Sequence, residues 1–260
     1  MVITINSESL KNTKPIFCDE KKLKKCSLRI YTYLVLLSNL KDNVSGERIF
    51  SHRDLNLSQM ERILKMNRRT IKKYMFELEK ECLLLYNVRD NEYLELETDK
   101  ERWEYRKHHK DTYYVLRCPE RFRKIPQETL EFLVTNENIS ELTYKIYIVL
   151  TNYQEVAILN KKEKKYFTLQ DIRDILDYEK HFDIDEKIRD SLCVLKGYGL
   201  IDCEKTVFNN NYGTKIDAFI LNQANFYVNE SIKICKISDI ELIEPKEKEE
   251  IISENKKYGI

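Results

Sequence analysis

The run MERILKMNRRTIKKYMFELEKECLL, residues 60–84, decides the fold. It predicts a short helix, a tight turn, a second helix loaded with basic residues and the start of a strand. That is the layout of a helix-turn-helix with a wing behind it. Ile71, Met75, Leu78 and Cys82 fall at i, i+4, i+7 and i+11, one apolar stripe. Opposite the stripe lie Arg69, Lys72, Lys73, Phe76 and Lys80. Asn67 suits the N-cap, because its side chain accepts from the free amides of the first turn. Arg68 and Arg69 then occupy that turn, where the helix dipole disfavours cations. A phosphate or base partner explains them better than helix stability does. A helix so equipped fits the DNA major groove, with Asn67, Arg68, Arg69, Thr70, Lys72, Lys73 and Phe76 as its candidate contacts. The plain alternative is a solvated basic face. An exposed Phe76, and the lack of any Glu on the helix before Glu77, favour DNA.

Around this core the first unit takes shape. An apolar helix is expected over residues 28–40, LRIYTYLVLLSNL. A second follows over residues 58–66, with Ser58 as cap and Glu61 in a capping-box position. The basic helix covers residues 68–81. Strand signals occupy residues 83–88 and 112–117, separated by a long wing over 89–111.

The chain then repeats itself. LTYKIYIVLTNY, residues 142–153, sets Tyr144 against Tyr31 and Thr151-Asn152 against Ser38-Asn39. Thr168 caps the next helix, with Asp171 as a box-like partner. The third helix runs over residues 185–196, with Ile188, Leu192 and Leu195 inward. Gly197 or Gly199 supplies a left-handed cap. Residues 201–208 and 215–221 form a hairpin around Asn209-Asn210-Asn211-Tyr212-Gly213. The matching offsets read as two copies of one architecture.

The expected fold is mostly α with small β-hairpins (α+β), as two tandem winged helix-turn-helix domains. An N-terminal extension, polar and loose to about Phe17, covers residues 1–26. The first winged-helix domain covers 27–118, a linker 119–138 and the second domain 139–225. A charged tail covers 226–260. Pro119 and Pro126 punctuate the linker, and a short helix is expected over 127–134.

Composition sets limits on function. The net charge of +1 gives no global basic field, so nucleic-acid binding must come from local segregation of charge. Gly and Pro are scarce, at 5 and 4 of 260 residues, which disfavours a Gly-rich catalytic loop. The 7 cysteines are scattered without a CxxC pair and read as reduced thiols of a cytoplasmic protein. No apolar run is long enough for a membrane span.

The two halves differ in their third helices. Outside the second stripe come Glu186, Arg189, Asp190 and Cys193, with Asp183 and Asp185 at the start. Phosphate repels acid, so this helix is expected to be structural or to face a protein. Its wing still offers Lys205, Asn210 and Lys215 for phosphate or minor-groove contact. The first wing interleaves cations with aromatics from Arg102 through Trp103 and Tyr105 to Lys110; Arg106, Lys107 and Lys110 are its DNA candidates. Lys21, Lys22, Lys24 and Lys25 form a weaker phosphate candidate. Lys161, Lys162, Lys164 and Lys165 read as a solvated loop.

Enzyme chemistry finds no motif. There is no GxxxxGK[ST] loop for an NTP. The His108-His109 pair does not alternate as a strand-borne metal site would, and no Cys/His zinc spacing appears. No catalytic residue, metal or cofactor is expected.

With two such units and no catalytic motif, the chain resembles the tandem winged-helix replication initiators of plasmids and phages. Residues 60–84 and 168–201 carry the resemblance, with the apolar helices that begin at Leu28 and Leu142. It implies binding of double-stranded DNA at origin repeats, host replication proteins as partners, and a homodimer. In that family the second unit often dominates DNA reading, whereas the charge pattern here favours the first. A transcriptional regulator and a winged-helix protein scaffold remain open alternatives.

Overall fold

Ser27 opens the central helix of the first unit: its hydroxyl accepts from the Ile30 amide at 3.3 Å. We describe the chain from a computed structural model covering residues 13–40, 46–51, 54–87, 92–94, 101, 104–105, 108, 112–159, 165–179, 182–209 and 215–224. It is a mixed α/β protein with small antiparallel sheets, divided into two compact units, residues 1–137 and 138–260. Both the first twelve residues and the predicted tail lie outside the described residues.

The first unit begins with β1 (Thr13–Phe17) and α1 (Glu20–Lys25), followed by the Ser27-capped helix α2 (Leu28–Leu37). The helix stops short of residue 40. Ser38 takes extended backbone, and Asn39–Leu40 (β2) pairs with Arg48–Ser51 (β3). Next come α3 (Leu57–Leu64), α4 (Arg68–Glu81), β4 (Leu83–Asn87), β5 (Glu92–Leu94), β6 (Thr112–Leu116), β7 (Phe122–Pro126) and α5 (Gln127–Thr135). The larger sheet has the order β2-β3-β6-β4-β5. Its central strand β6 sets Val115 opposite both Ile49 and Leu84. Beneath it, Phe50 stacks on the fully buried Tyr114 at 5.2 Å. Tyr31, Leu34, Ile71 and Leu78 are buried with them. Burying such side chains is the main favourable term, at roughly 1.5–3 kcal/mol each.

Two predicted boundaries move. The extension and the linker are parts of this unit: β1 pairs antiparallel with β7 from Thr13↔Pro126 to Phe17↔Phe122. Ile16, Phe17, Leu23 and Ile125 are fully buried. Arg29 of α2 donates to the Val134 carbonyl of α5 at 2.6 Å. Polar composition hides the apolar edge of β1, which becomes useful only when a strand more than a hundred residues away covers it.

The second unit runs α6 (Glu141–Leu159), β8 (Lys165–Thr168), α7 (Leu169–Leu176), α8 (Phe182–Gly197), β9 (Ile201–Asn209) and β10 (Lys215–Ala224). Its sheet order is β8-β10-β9, and Phe167 stacks on Phe219 at 5.4 Å. Thr168 and Asp171 form the expected capping box, and Gly199 takes the left-handed conformation at φ +67°. Lys165 begins a strand rather than continuing the basic loop.

Taken separately, α2-β3-α3-α4-β4-β6 of the first unit and α6-β8-α7-α8-β9-β10 of the second share one connectivity, helix, strand, helix, helix, strand, strand, with the last of these strands between the other two; β2 and β5 extend the first sheet at its edges. The match extends to single residues. Ser140 caps α6 as Ser27 caps α2. Tyr144 is fully buried and Tyr31 nearly so. The helices LSQMERIL and LQDIRDIL end on Lys65 and Asp177, both left-handed, at φ 53° and 61°. Ile71, Met75 and Leu78 have buried counterparts in Ile188, Leu192 and Leu195.

Cys26, Cys82, Cys193 and Cys203 are buried thiols outside any disulfide. Burial, reinforced by the neighbouring Cys26, pushes the Cys82 thiol up to about 12. Among the described residues no helix is long and apolar enough to cross a membrane.

Candidate nucleic-acid interface

Helix α4 covers Arg68–Glu81, the span its periodicity predicts. Asn67 caps it, accepting from the Thr70 amide at 2.8 Å. Ile71, Met75 and Leu78 face the core, and Cys82 is the buried C-cap. This stripe fixes the rotation of the helix. Arg69, Lys72 and Lys73 therefore point outward and are exposed. None of the three has an ion pair or hydrogen bond among the described residues.

The turn before α4 corrects the sequence reading. Helix α3 begins at Leu57, capped by Asn56, whose side chain accepts from Gln59 N at 3.1 Å. Ser58 and Glu61 are thus free of the predicted capping box, and they hold Arg68 instead. Glu61 Oε1 accepts from the Arg68 amide at 2.8 Å. Arg68 Nη2 donates to Glu61 Oε2 at 3.1 Å and to Ser58 Oγ at 2.8 Å. The carboxylate at the helix N-terminus satisfies a free amide, offsets the dipole and neutralises the guanidinium. Arg68 therefore needs no phosphate to explain its place. It positions α4 against α3, and the outward cationic set narrows to Arg69, Lys72 and Lys73. A Glu and an Arg seven residues apart across a predicted turn were the signal for this clamp.

Phe76 is half-buried rather than exposed, with Lys80 Nζ lying 4.1 Å from its ring centroid. Thr70 is half-buried as well. Arg106, Lys107, Lys110 and Asn210 lie outside the described residues. Lys215 opens β10 opposite Asn209, and its side chain also lies outside them. Lys205 is half-buried and already has a partner. The lysine cluster before α2 forms α1, where Lys25 pairs with Glu81 at 3.3 Å.

Helix α8 occupies the corresponding place in the second unit. Glu186 and Asp190 are exposed, as predicted, but Cys193 is buried and belongs to the core side. Asp185 forms an ion pair and hydrogen bond with Arg173 of α7, whose side chain is only 7% exposed. Counting from the buried stripe, Asp185 corresponds to Arg68, Glu186 to Arg69 and Asp190 to Lys73. Arg173 corresponds to Glu61, five residues into each helix. The inter-helix pair is kept with its signs exchanged.

No known protein family, curated protein or solved structure matches the chain.

Proposed function

We propose that this chain is a non-catalytic, sequence-specific double-stranded DNA-binding protein of the cytoplasm, built from two winged helices, with α4 as its major-groove reader. The observation that carries the reading is the outward row Arg69, Lys72 and Lys73. These cations are exposed and unpaired among the described residues, on a helix whose rotation and start are fixed by the core stripe and the Glu61 clamp. Unpaired cations in an i, i+3, i+4 row suit phosphate and base-edge acceptors, and a groove admits one helix face at a time. The shared connectivity and the outer position of the β4–β5 hairpin support a wing beside that helix.

Within this class the reading is a replication initiator of the plasmid and phage type, which recognises origin repeats and engages host replication proteins. The exposed acids of α8 favour a protein-facing role for the second unit, since phosphate repels carboxylates. The test is selection of bound duplexes from a random DNA pool. Direct repeats support initiation. A palindrome indicates a dimeric transcriptional regulator. No enrichment of any sequence contradicts sequence-specific binding and leaves the winged helices as a protein scaffold.

A further inference from the structure

Exposed cations gather at a second place in the first unit, away from the outward face of α4. The segment RCPERFRK, residues 117–124, enters and forms most of β7. Arg117, Arg121 and Lys124 are exposed. Phe122 between them is 39% exposed, one of the few large apolar side chains left open to water among the described residues. The chain entering α1 joins this segment: Cys18 N donates to the Arg121 carbonyl at 3.1 Å, and Phe17 lies opposite Phe122 in the β1–β7 pair. Lys21, exposed in the first turn of α1, follows that end of β1 by four residues. The side chains of Lys21, Arg117, Arg121 and Lys124 have no ion pair or hydrogen bond among the described residues. Glu20 and Glu120 are the exposed acids in these two segments, so cations are in excess.

This surface is tied to the far end of α4. The Arg117 amide donates to the carbonyl of Cys82, the C-cap of α4, at 3.0 Å. Lys25 of α1 pairs with Glu81 in the last turn. A 14-residue helix is about 20 Å long. Arg117 is thus held beside the end of α4 opposite to the one that carries Arg69.

In a chain with 44 acidic residues and a net charge of +1, such segregation is not a by-product of composition. Burial of Ile16, Phe17 and Ile125 explains the pairing of the two strands and leaves the charge of the exposed residues unexplained. We infer that Lys21, Arg117, Arg121 and Lys124, carried by α1 and by the segment that leads into and forms β7, bind the phosphodiester backbone of a nucleic acid, independently of base sequence. The inference rests on the DNA-binding reading of the protein and adds a second contact site to it. Duplex and single strand share the chemistry, and Phe122 offers a ring on which an unpaired base stacks.

The experiment uses the full chain and two probes, a random-sequence 30-base-pair duplex and a 30-nucleotide oligothymidylate. Affinity is measured against salt for the wild type, Arg121→Ala/Lys124→Ala and Arg121→Lys. The thermal melt of each variant shows that the fold is kept. The double variant is expected to lower the slope of log affinity against log salt by about 2 on the duplex or about 1.4 on the single strand. The Arg121→Lys chain keeps the wild-type slope. Phe122→Ala then separates the two sources. A roughly tenfold loss on oligothymidylate assigns the site to single strands, and no loss there assigns it to duplex. An unchanged slope for the double variant on both probes, with salt-dependent wild-type binding intact, overturns this site and leaves the α4 reading standing. A wild type with no salt-dependent affinity for either probe overturns both.

Discussion

Helices α4 and α8 hold the same place in their units and bury apolar residues at the same spacing, yet at two of three outward positions they carry opposite charges, the third setting Lys72 against Arg189. Arg69 and Lys73 on one correspond to Glu186 and Asp190 on the other, and all four are exposed. The buried stripe answers to the fold and is kept in both. The outward positions of Arg69, Lys73, Glu186 and Asp190 are not held by the core, so the fold leaves their charge free to differ. The ion pair to the preceding helix shows the same freedom: Glu61–Arg68 and Arg173–Asp185 hold the same joint with exchanged signs. Two such units separate what the architecture needs, an apolar stripe and a clamp, from what it leaves free, the sign of the outward charge.

The equivalence of the stripes is broken most readily in the core. Met75→Ala and Leu192→Ala, at matching buried positions, should each cost roughly 2–5 kcal/mol by lost transfer energy and cavity formation. Denaturant titration of each variant checks this, and a near-neutral effect at either position removes it from the shared stripe.

The clamps differ in depth, which sharpens the contrast. Arg173 is 7% exposed and its partner Asp185 20%, whereas Arg68 and Glu61 are 51% and 34% exposed. Asp185→Asn strands a buried guanidinium and should destabilise by roughly 3 kcal/mol. Next come the caps: Thr168→Ala removes the hydroxyl that accepts from the Asp171 amide, while the Thr168 amide still donates to the Asp171 carboxylate, and should lower stability by about 1 kcal/mol, measured as a drop in thermal midpoint. The smallest effect belongs to Glu61→Gln, about 0.5 kcal/mol, because its pair is exposed and screened. Raising salt should shrink the Glu61→Gln difference while leaving most of the Asp185→Asn difference. Equal salt sensitivity would contradict the assigned depths.

Much of this was legible in the sequence because the signals are local. The span of α4, its Asn67 cap, the Thr168–Asp171 box and the Gly199 turn each depend on residues within a turn or two. What stayed hidden depends on distant partners. Thr13–Phe17 reads as a polar extension because its apolar edge is satisfied only by Phe122–Pro126. Arg48–Ser51 and Lys165–Thr168 are too short to show an alternation, and they are strands only through β6 and β10. At the candidate site the periodicity places Arg69, Lys72 and Lys73 outward, and they are exposed. The Glu61–Arg68 pair joins two helices across a turn, which a capping pattern within one helix does not reveal. Phe76 is half-buried because Lys80 lies over its ring, a contact that periodicity alone does not show.

The most direct test of the central claim exchanges charge at the matched positions of the two helices. Affinity for a duplex selected from a random pool is measured against salt for Arg69→Ala/Lys73→Ala and for Glu186→Ala/Asp190→Ala. Loss of roughly 1–3 kcal/mol per base contact and a shallower salt slope in the first variant, with unchanged or slightly tighter binding in the second, is the predicted result. Equal affinity in the wild type and the α4 variant, or a loss confined to the α8 variant, would contradict α4 as the reader of DNA.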